Sequence, residues 1–290
     1  MTKKIGIIGF GNMGMVIGER FKQHPDLYEV HVYDQDSKKT DQVSGIQVSS
    51  SVTCLADRVV ALILAVKPQD FEALLKEIKE HTQNVLVISI AAGLRMDYIE
   101  RLLGEARVVR VMPNMPARIG KGISCLCKGK RANADDLSFA TQLFSHLGET
   151  MVIPEYMMNS ATAISGSGPG YFYDLLSKEN IDIKKMDVVE HFGREVFFPR
   201  LLEAAQSIGF NPAQAEELSR ATVEGSLAML AVTGLFPQEL LAQIVSKGGT
   251  TEAALKVLHK GQGLKDAVEA ARMRAEELSR RIDHSDVEEN

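Results

Sequence analysis

The chain has 290 residues with a formal net charge of −5, and 45% of its residues are hydrophobic while 24% are charged. Its length predicts about two domains, and its composition is typical of a globular protein that buries a full core. The absence of basic runs and of apolar runs near ~20 residues argues against nucleic-acid and membrane partners, so we expect a small-molecule substrate.

The first half of the chain alternates short β-rich apolar runs with segments of helical spacing. This alternation predicts a parallel α/β sheet, of the doubly wound Rossmann type, with helices on both faces. A further strand pair that brackets a helix over 135–147 is expected to complete the sheet. The predicted strands are 4–8, 29–33, 59–66, 85–90, 108–112, 123–127 and 151–153.

A glycine motif follows the first predicted strand. Residues 9–14 are GFGNMG, which satisfies GxGxxG between a strand and a helix that ends near Gln23. Gly9 permits the tight turn, Gly11 lets the backbone approach a pyrophosphate, and Gly14 lets the helix pack closely on the strand. The motif predicts a bound dinucleotide on the helix N-terminus, and the alternative is a glycine turn without a ligand.

The second predicted strand ends next to an acidic residue, Asp34, twenty positions after Gly14. This carboxylate would bind both ribose hydroxyls of NADH and repel a 2′-phosphate, which favours NADH. Lys38 and Lys39 follow closely and would serve NADPH if the loop folds back. Both cofactors therefore stay open, as does a simple turn role for Asp34.

Three later loops lie where a doubly wound sheet places its ligand crevice, at the carboxyl ends of strands. They are residues 65–69, residues 89–93 and the proline-flanked Asn114, whose amide would orient a nicotinamide or a substrate. The alternative for Asn114 is a rigid structural connection, and Lys67 is equally explained as a solvated cation. The predicted cofactor-binding residues are Gly9, Gly11, Asn12, Met13, Gly14, Asp34, Ala65, Val66, Lys67, Pro68, Ala91, Gly93 and Asn114.

After Pro154 long helical periodicities replace strands, so we predict an all-α second domain. The predicted ranges are 1–155 for the first domain, 156–283 for the second and 284–290 for a frayed tail. Residues 178–192 are predicted to be an insertion or a lid. An apolar stripe fits either a subunit interface or an intrachain core; it consists of Leu218, Thr222, Val223, Leu227, Leu230 and Ala231. The predicted helices are 157–165, 171–176, 197–208, 212–232 and 252–259.

Two small-residue motifs in the second half suggest a substrate site. Residues 165–169, SGSGP, are expected to precede a helix and to offer hydroxyl and backbone N–H groups. Residues 246–251, SKGGTT, directly precede another helix, and their two glycines permit an anion nest for a small carboxylate. The alternative is that one of the two threonines caps that helix.

The titratable side chains suggest no conventional proton-transfer machinery. The seven histidines are scattered, and the three cysteines form no CxxC pair, so we expect neither a metal site nor a disulfide framework. The odd number of cysteines and the lack of a signal peptide favour a cytoplasmic location. A reaction that needs a positioned hydride and a weak proton donor suits such a chain.

The motifs GFGNMG, AVKPQ, SIAAG, RVMPNMP, SGSGP and SKGGTT, in this order, resemble the pyrroline-5-carboxylate reductases over nearly the whole chain. The resemblance implies reduction of 1-pyrroline-5-carboxylate to L-proline by NADPH or NADH, the last step of proline biosynthesis. It also implies a helical C-terminal domain that forms a homodimer or a larger homo-oligomer.

The resemblance carries substrate roles onto particular residues. Thr251 matches the catalytic hydroxyl that hydrogen-bonds the imine nitrogen, and Ser167 belongs to the matching SGSGP motif. The implied substrate-binding residues are Ser246, Gly248, Gly249, Thr250, Thr251 and Ser167.

Several positions depart from the family's pattern. Met115 and Lys247 replace a threonine and a proline, Gly170 replaces an alanine, and residues 178–194 lengthen a helix. Two other hypotheses therefore remain: a related dehydrogenase of another small carboxylate, and a relative that binds nucleotide without catalysis.

Overall fold

A computed structural model describes residues 2–41 and 43–285 of the chain, with side chains up to residue 280. Its internal contacts define two compact units. The first takes the chain up to Val111, then Leu126–His146 and the residues from Ser279; the second takes Met112–Cys125 and Leu147–Leu278. The domain ranges 1–155 and 156–283 stay a prediction. Of the predicted tail, residues 284 and 285 end a helix, and 286–290 lie outside the described residues.

Parallel strands form the core of the first unit. Their order in the sheet is β3-β2-β1-β4-β5-β6-β7-β8, and the pairs from β3 through to β6 are all parallel. The two central strands are buried along their whole length, as expected for a sheet covered on both faces. The strands are β1 Lys3–Ile8, β2 Tyr28–Tyr33, β3 Gln47–Val48, β4 Ala61–Leu64, β5 Leu86–Ser89, β6 Arg107–Met112, β7 Gly122–Lys128 and β8 Gly148–Val152.

This architecture confirms the predicted parallel sheet and corrects its details. The edge strand β3 was not predicted, because its two residues are exposed and carry no apolar pattern. Strand β8 begins three residues before the predicted 151–153, since Gly148 has a φ of +136° and turns the chain directly into the strand.

Five helices belong to the first unit. Helix α5 begins with a capping box, in which Asn133 and Asp136 each accept a backbone N–H from the other. The same Asp136 carboxylate pairs with Arg107 on β6, which ties the helix to the sheet. The helices are α1 Asn12–Lys22, α2 Val52–Ala56, α3 Phe71–Ile78, α4 Met96–Leu103 and α5 Ala134–Ser145.

His146, just after α5, lies in a cluster of rings and cations in the first unit. Its ring centroid lies 4.1 Å from that of His24, its Nε2 lies 3.2 Å from the Tyr28 hydroxyl, and its carbonyl oxygen accepts from Arg20. Burial, then the charges of His24 and Arg20, lower the pKa of His146. The folded protein therefore holds His146 neutral at a pH where the unfolded chain is partly protonated.

We expect the free energy of unfolding to fall as the pH drops below ~6.5, the usual histidine pKa. Between the unfolded pKa and the lower folded pKa the unfolded chain binds more protons, so His146 stabilises the fold fully above that window and loses this contribution as the pH falls through it. Urea unfolding from about pH 8 to about pH 5 would measure this for the wild type and His146→Gln. The variant should show a weaker pH dependence, and equal dependence in both would contradict the assignment.

Helices dominate the second unit, as predicted. The sequence did not predict α8, α11 or α13, whose apolar residues are few or interrupted by charges. No helix among the described residues combines the length and the hydropathy that a bilayer crossing requires. The helices are α6 Met158–Ala161, α7 Gly168–Lys178, α8 Met186–His191, α9 Phe198–Ser207, α10 Pro212–Thr233, α11 Pro237–Ile244, α12 Thr250–His259 and α13 Leu264–Ser285.

The SGSGP motif does not precede a helix, which corrects the prediction. Helix α6 continues through a π-helical stretch, Thr162–Gly166, and Ser167 then leads directly into α7. A π-helical turn inserts one extra residue into a helix and is frequent at functional sites. The motif therefore lies inside one interrupted helix, where its backbone is largely fixed.

The segment after α7 does not lengthen that helix. Helix α7 ends at Lys178, and Asn180 turns the chain with a φ of +54° before α8 begins. Val189 and Phe192 are buried, and the Phe192 ring lies 6.1 Å from that of Phe172 on α7. The second half of the predicted lid is therefore packed into the helical core.

The apolar stripe of α10 is mainly an intrachain core. Five of its six predicted residues are buried within the single chain, and only Ala231 is exposed. The large apolar side chains that remain exposed lie just beyond it: Val232 is 68% exposed and Phe236 is 59% exposed. This end of α10 is the part of the helix that a second chain could still cover.

Candidate functional site

The glycine turn between β1 and α1 has the shape that a pyrophosphate requires. Gly9 has a φ of +92°, and a Cβ there would lie 2.7 Å from the carbonyl oxygen of Ala65. A Cβ on Gly14 would collide with the carbonyl oxygen of Gly9. A Cβ on Gly11, in contrast, would meet no atom within 4 Å. Gly9 and Gly14 are thus required by packing, whereas Gly11 faces open space.

That open space belongs to a cavity of about 570 Å³ in the first unit. Six predicted cofactor residues line it: Gly9, Gly11, Asp34, Ala65, Val66 and Lys67. Asn12 and Met13 begin α1, so their backbone N–H groups belong to the helix N-terminus that favours phosphate. Pro68 follows Lys67 in a 3₁₀ turn, and Ala91 and Gly93 follow β5 at the same sheet edge. These residues fit a bound dinucleotide.

Asp34 is held by contacts of its own. Its Oδ2 accepts the backbone N–H of Phe10 at 2.7 Å, its Oδ1 accepts that of Asp36 at 2.9 Å, and Lys39 Nζ lies 3.0 Å from Oδ1. Burial alone would raise the pKa of Asp34, but the hydrogen bonds from Asp36, Phe10 and Lys39 outweigh it and lower the pKa. The loop therefore folds back so that Lys39 pairs with Asp34 at the edge of the cavity.

The SKGGTT loop of the second unit is built around its two glycines. Gly248 has a φ of +72°, and Gly249 donates its N–H to the Ser246 carbonyl oxygen at 3.0 Å. A Cβ on Gly249 would collide with the Ser246 hydroxyl. Gly249 is the N-cap of α12 and no side chain caps the helix. Neither threonine is the cap, so Thr250 and Thr251 are the first two helical residues.

Three hydroxyl groups meet at the start of α12. Thr251 Oγ1 donates to Ser167 Oγ at 3.0 Å, and Ser167 Oγ lies 2.9 Å from Thr250 Oγ1. Ser167 and Thr251 are almost completely buried, with exposures of 1% and 5%. The structure thus joins the two predicted substrate motifs, 84 residues apart, into one hydroxyl cluster.

Helices α7 and α12 also meet at their other ends. His259 Nε2 lies 2.9 Å from Asp174 Oδ1, and Lys178 donates to the carbonyl oxygen of Leu258. Because the two helices are joined at both ends, the position of Thr251 against Ser167 is fixed by the packing of the whole pair.

Two residues that were not predicted hold the substrate loop. Glu252 Oε2 accepts the backbone N–H of Gly248 at 2.8 Å, and Arg274 Nε donates to the Gly248 carbonyl oxygen at 2.8 Å. A glutamate at the third helical position is a known capping signal, so Glu252 was visible in principle. Arg274 lies 26 residues from Gly248 and has no local signal.

Asn114 has a structural role in the second unit. Its Nδ2 donates to the Ser165 carbonyl oxygen at 3.2 Å, and its Oδ1 accepts the Ile123 N–H at 2.9 Å. The residue is 2% exposed. These bonds favour the rigid connection that the sequence left open, while contact with a cofactor stays a prediction. Within the described part of the chain, no group of three or more His, Cys, Asp or Glu side chains is placed to hold a metal ion.

Two family models match parts of this chain. The model for pyrroline-5-carboxylate reductase dimerisation matches residues 195–281, and the model for NADP oxidoreductase coenzyme F420-dependent matches residues 4–93. A pyrroline-5-carboxylate reductase of Methanosarcina acetivorans is 32% identical over 293 residues, which cover 97% of this chain and 98% of the relative. The chain belongs to the pyrroline-5-carboxylate reductase family.

Solved pyrroline-5-carboxylate reductase structures share its fold. A Coxiella burnetii reductase is 28% identical with a TM-score of 0.63, covering 96% of this chain and 99% of that one. A Plasmodium falciparum pyrroline carboxylate reductase, solved with NADP bound, is 27% identical with a TM-score of 0.61, covering 96% and 98%. The predicted family and fold class, a Rossmann-type sheet followed by a helical dimerisation domain, are confirmed.

The departures from the pyrroline-5-carboxylate reductase pattern have different structural weight. A Cβ on Gly170, where the family has alanine, would lie 2.6 Å from Thr251 Cγ2, so the glycine gives Thr251 its place. Lys247 is exposed, and Met115 is half-buried at the start of a 3₁₀ turn. Of the three, only Gly170 contacts the hydroxyl cluster directly.

Proposed function

We propose that this chain reduces 1-pyrroline-5-carboxylate to L-proline with NADPH or NADH, the final step of proline biosynthesis. The single observation that carries the proposal is the buried contact of Thr251 with Ser167 at the start of α12, in a member of this family. It supports a hydrogen-bond donor held beside a helix N-terminus that favours a carboxylate.

The substrate carboxylate would lie at the N-terminus of α12. Helices leave their first N–H groups without an intrahelical partner, so those of Thr250 and Thr251 are available to an anion. Gly248 and Gly249 shape the loop, and Ser246 adds a hydroxyl. A small carboxylate held there would have its ring close to the Thr251 hydroxyl.

Thr251 would donate a hydrogen bond to the imine nitrogen. A C=N carbon becomes more electrophilic as its nitrogen accepts a hydrogen bond or a proton, and no strong base is needed. Because a hydroxyl has one proton, Thr251 would then cease donating to Ser167 and accept from it instead. When bound, NADPH or NADH would supply the hydride to the imine carbon.

Pyrroline-5-carboxylate-dependent oxidation of NADH and of NADPH, followed by loss of reduced-nicotinamide absorbance, tests the proposal. Saturable turnover with either cofactor is expected. No turnover with both would overturn it and would favour a protein that binds nucleotide without catalysis.

Lys39 is expected to contribute more to NADPH use than to NADH use. Its Nζ lies 3.0 Å from Asp34 Oδ1 at the cavity edge, where it would pair with a 2′-phosphate. We expect Lys39→Met to raise the KM for NADPH about tenfold and to leave that for NADH unchanged or lower. Lys38→Met, which removes the same charge one residue away, is the control. Equal shifts for both cofactors in Lys39→Met would refute the role.

The enzyme would act as a homodimer or a larger homo-oligomer in the cytoplasm. The dimerisation match covers residues 195–281, and within it Val232, Phe236 and Met273 are more than half exposed. Contact with a second copy would remove these apolar side chains from water. Three free cysteines, Cys54, Cys125 and Cys127, support a reducing compartment.

A further inference from the structure

The backbone N–H of Gly248 already has a carboxylate partner. Glu252 Oε2 accepts it at 2.8 Å, from one turn into α12. Gly248 is one of the residues expected to hold the substrate carboxylate, and a carboxylate of the protein's own occupies its donor. The same kind of group therefore has two candidate sources at one N–H.

Glu252 has a second partner nearby. Lys256 Nζ lies 3.3 Å from Glu252 Oε2, at the i,i+4 spacing of α12, and the Glu252 side chain is 32% exposed. If an incoming carboxylate took the Gly248 N–H, Glu252 would keep Lys256 and water as partners. Its displacement would therefore leave no buried charge unpaired, which keeps the cost small.

The loop does not depend on Glu252 alone. Arg274 Nε donates to the Gly248 carbonyl oxygen at 2.8 Å, on the opposite side of the residue from its N–H. Arg274 Nη1 lies 2.6 Å from Glu277 Oε2, which helps to fix the guanidinium. Gly248 would thus stay in place when Glu252 leaves its N–H.

We propose that Glu252 is an internal competitor for the substrate carboxylate at Gly248 and that this competition raises the KM for the substrate. The proposal rests on the proposed function, because it assumes that the substrate carboxylate binds this loop. It gives Glu252 the opposite sign to a residue that merely supports the loop: removing a competitor strengthens substrate binding, whereas removing a support weakens it.

The test compares Glu252→Gln and Glu252→Ala with the wild type. We expect the KM for pyrroline-5-carboxylate to fall about threefold to tenfold, with kcat and the KM for NADPH within about twofold. Titration calorimetry with L-proline gives a readout besides activity, and its Kd should fall in the same variants.

Glu239→Gln is the matched control. Glu239 Oε2 accepts the Phe236 backbone N–H at 2.8 Å near the start of α11, so it loses a comparable bond at another helix. It should leave the substrate KM unchanged. An unchanged or raised KM in both Glu252 variants, with the wild type active, would overturn the competition. An inactive wild type would instead overturn the proposed function.

Discussion

Replacing Thr251 with alanine is expected to lower kcat for pyrroline-5-carboxylate about a hundredfold, while the KM for NADPH stays within about twofold. The hydroxyl is the donor proposed for the imine nitrogen, and it is nine-tenths or more buried against Ser167, so water does not easily replace it. The cofactor cavity is lined by other residues, Gly9 and Gly11 among them. Steady-state kinetics with each substrate varied in turn would measure both constants.

Thr251→Ser is the control for that prediction. It keeps the hydroxyl and removes the methyl group that lies against Gly170, so most of kcat should return. An alanine variant as active as the wild type would show that Thr251 is not the donor. A serine variant as slow as alanine would assign the loss to packing.

The second large effect is expected from Gly11→Ala. The φ of Gly11 is −78°, which alanine adopts freely, and its Cβ would meet no protein atom within 4 Å. The folded protein should therefore keep its Tm. A pyrophosphate in that space would meet the new methyl group, so we expect the Kd for NADPH to rise at least about tenfold.

Gly14→Ala should behave in the opposite way. Its Cβ would collide with the carbonyl oxygen of Gly9, so the variant should lose stability whether or not a cofactor is present. Thermal unfolding with and without NADPH, together with fluorescence titration of the cofactor, distinguishes the two. If Gly11→Ala bound NADPH as tightly as the wild type, the pyrophosphate would not lie at this turn.

The sheet was predictable because its signal is local. Strands β4 and β5 are fully buried, and runs such as ALIL and LVIS announce that burial in the sequence. Helix α13 was missed because its sequence is crowded with charged residues. The π-helical stretch Thr162–Gly166 has no sequence signature either, since surrounding contacts decide whether a helix widens.

The candidate site divides along the same line. The loops around Gly9 and Gly248 are contiguous in sequence, and their glycine spacing already specifies turns that approach an anion. The contact of Thr251 with Ser167 joins residues 84 positions apart, and that of Arg274 with Gly248 spans 26. Such contacts depend on how the helices pack. Composition also could not show that Lys39 covers Asp34.

The extra residue of the π-helical stretch acts as a phase setter for everything that follows it. An α-helix advances about 100° per residue, so deleting one residue from Thr162–Gly166 would rotate α7 by roughly that angle about its axis. Ser167 and Gly170 would then turn away from Thr251 even if every side chain were retained. We therefore expect single-residue deletions in this stretch to abolish turnover, whereas length changes in the turn around Asn180, away from that contact, are tolerated.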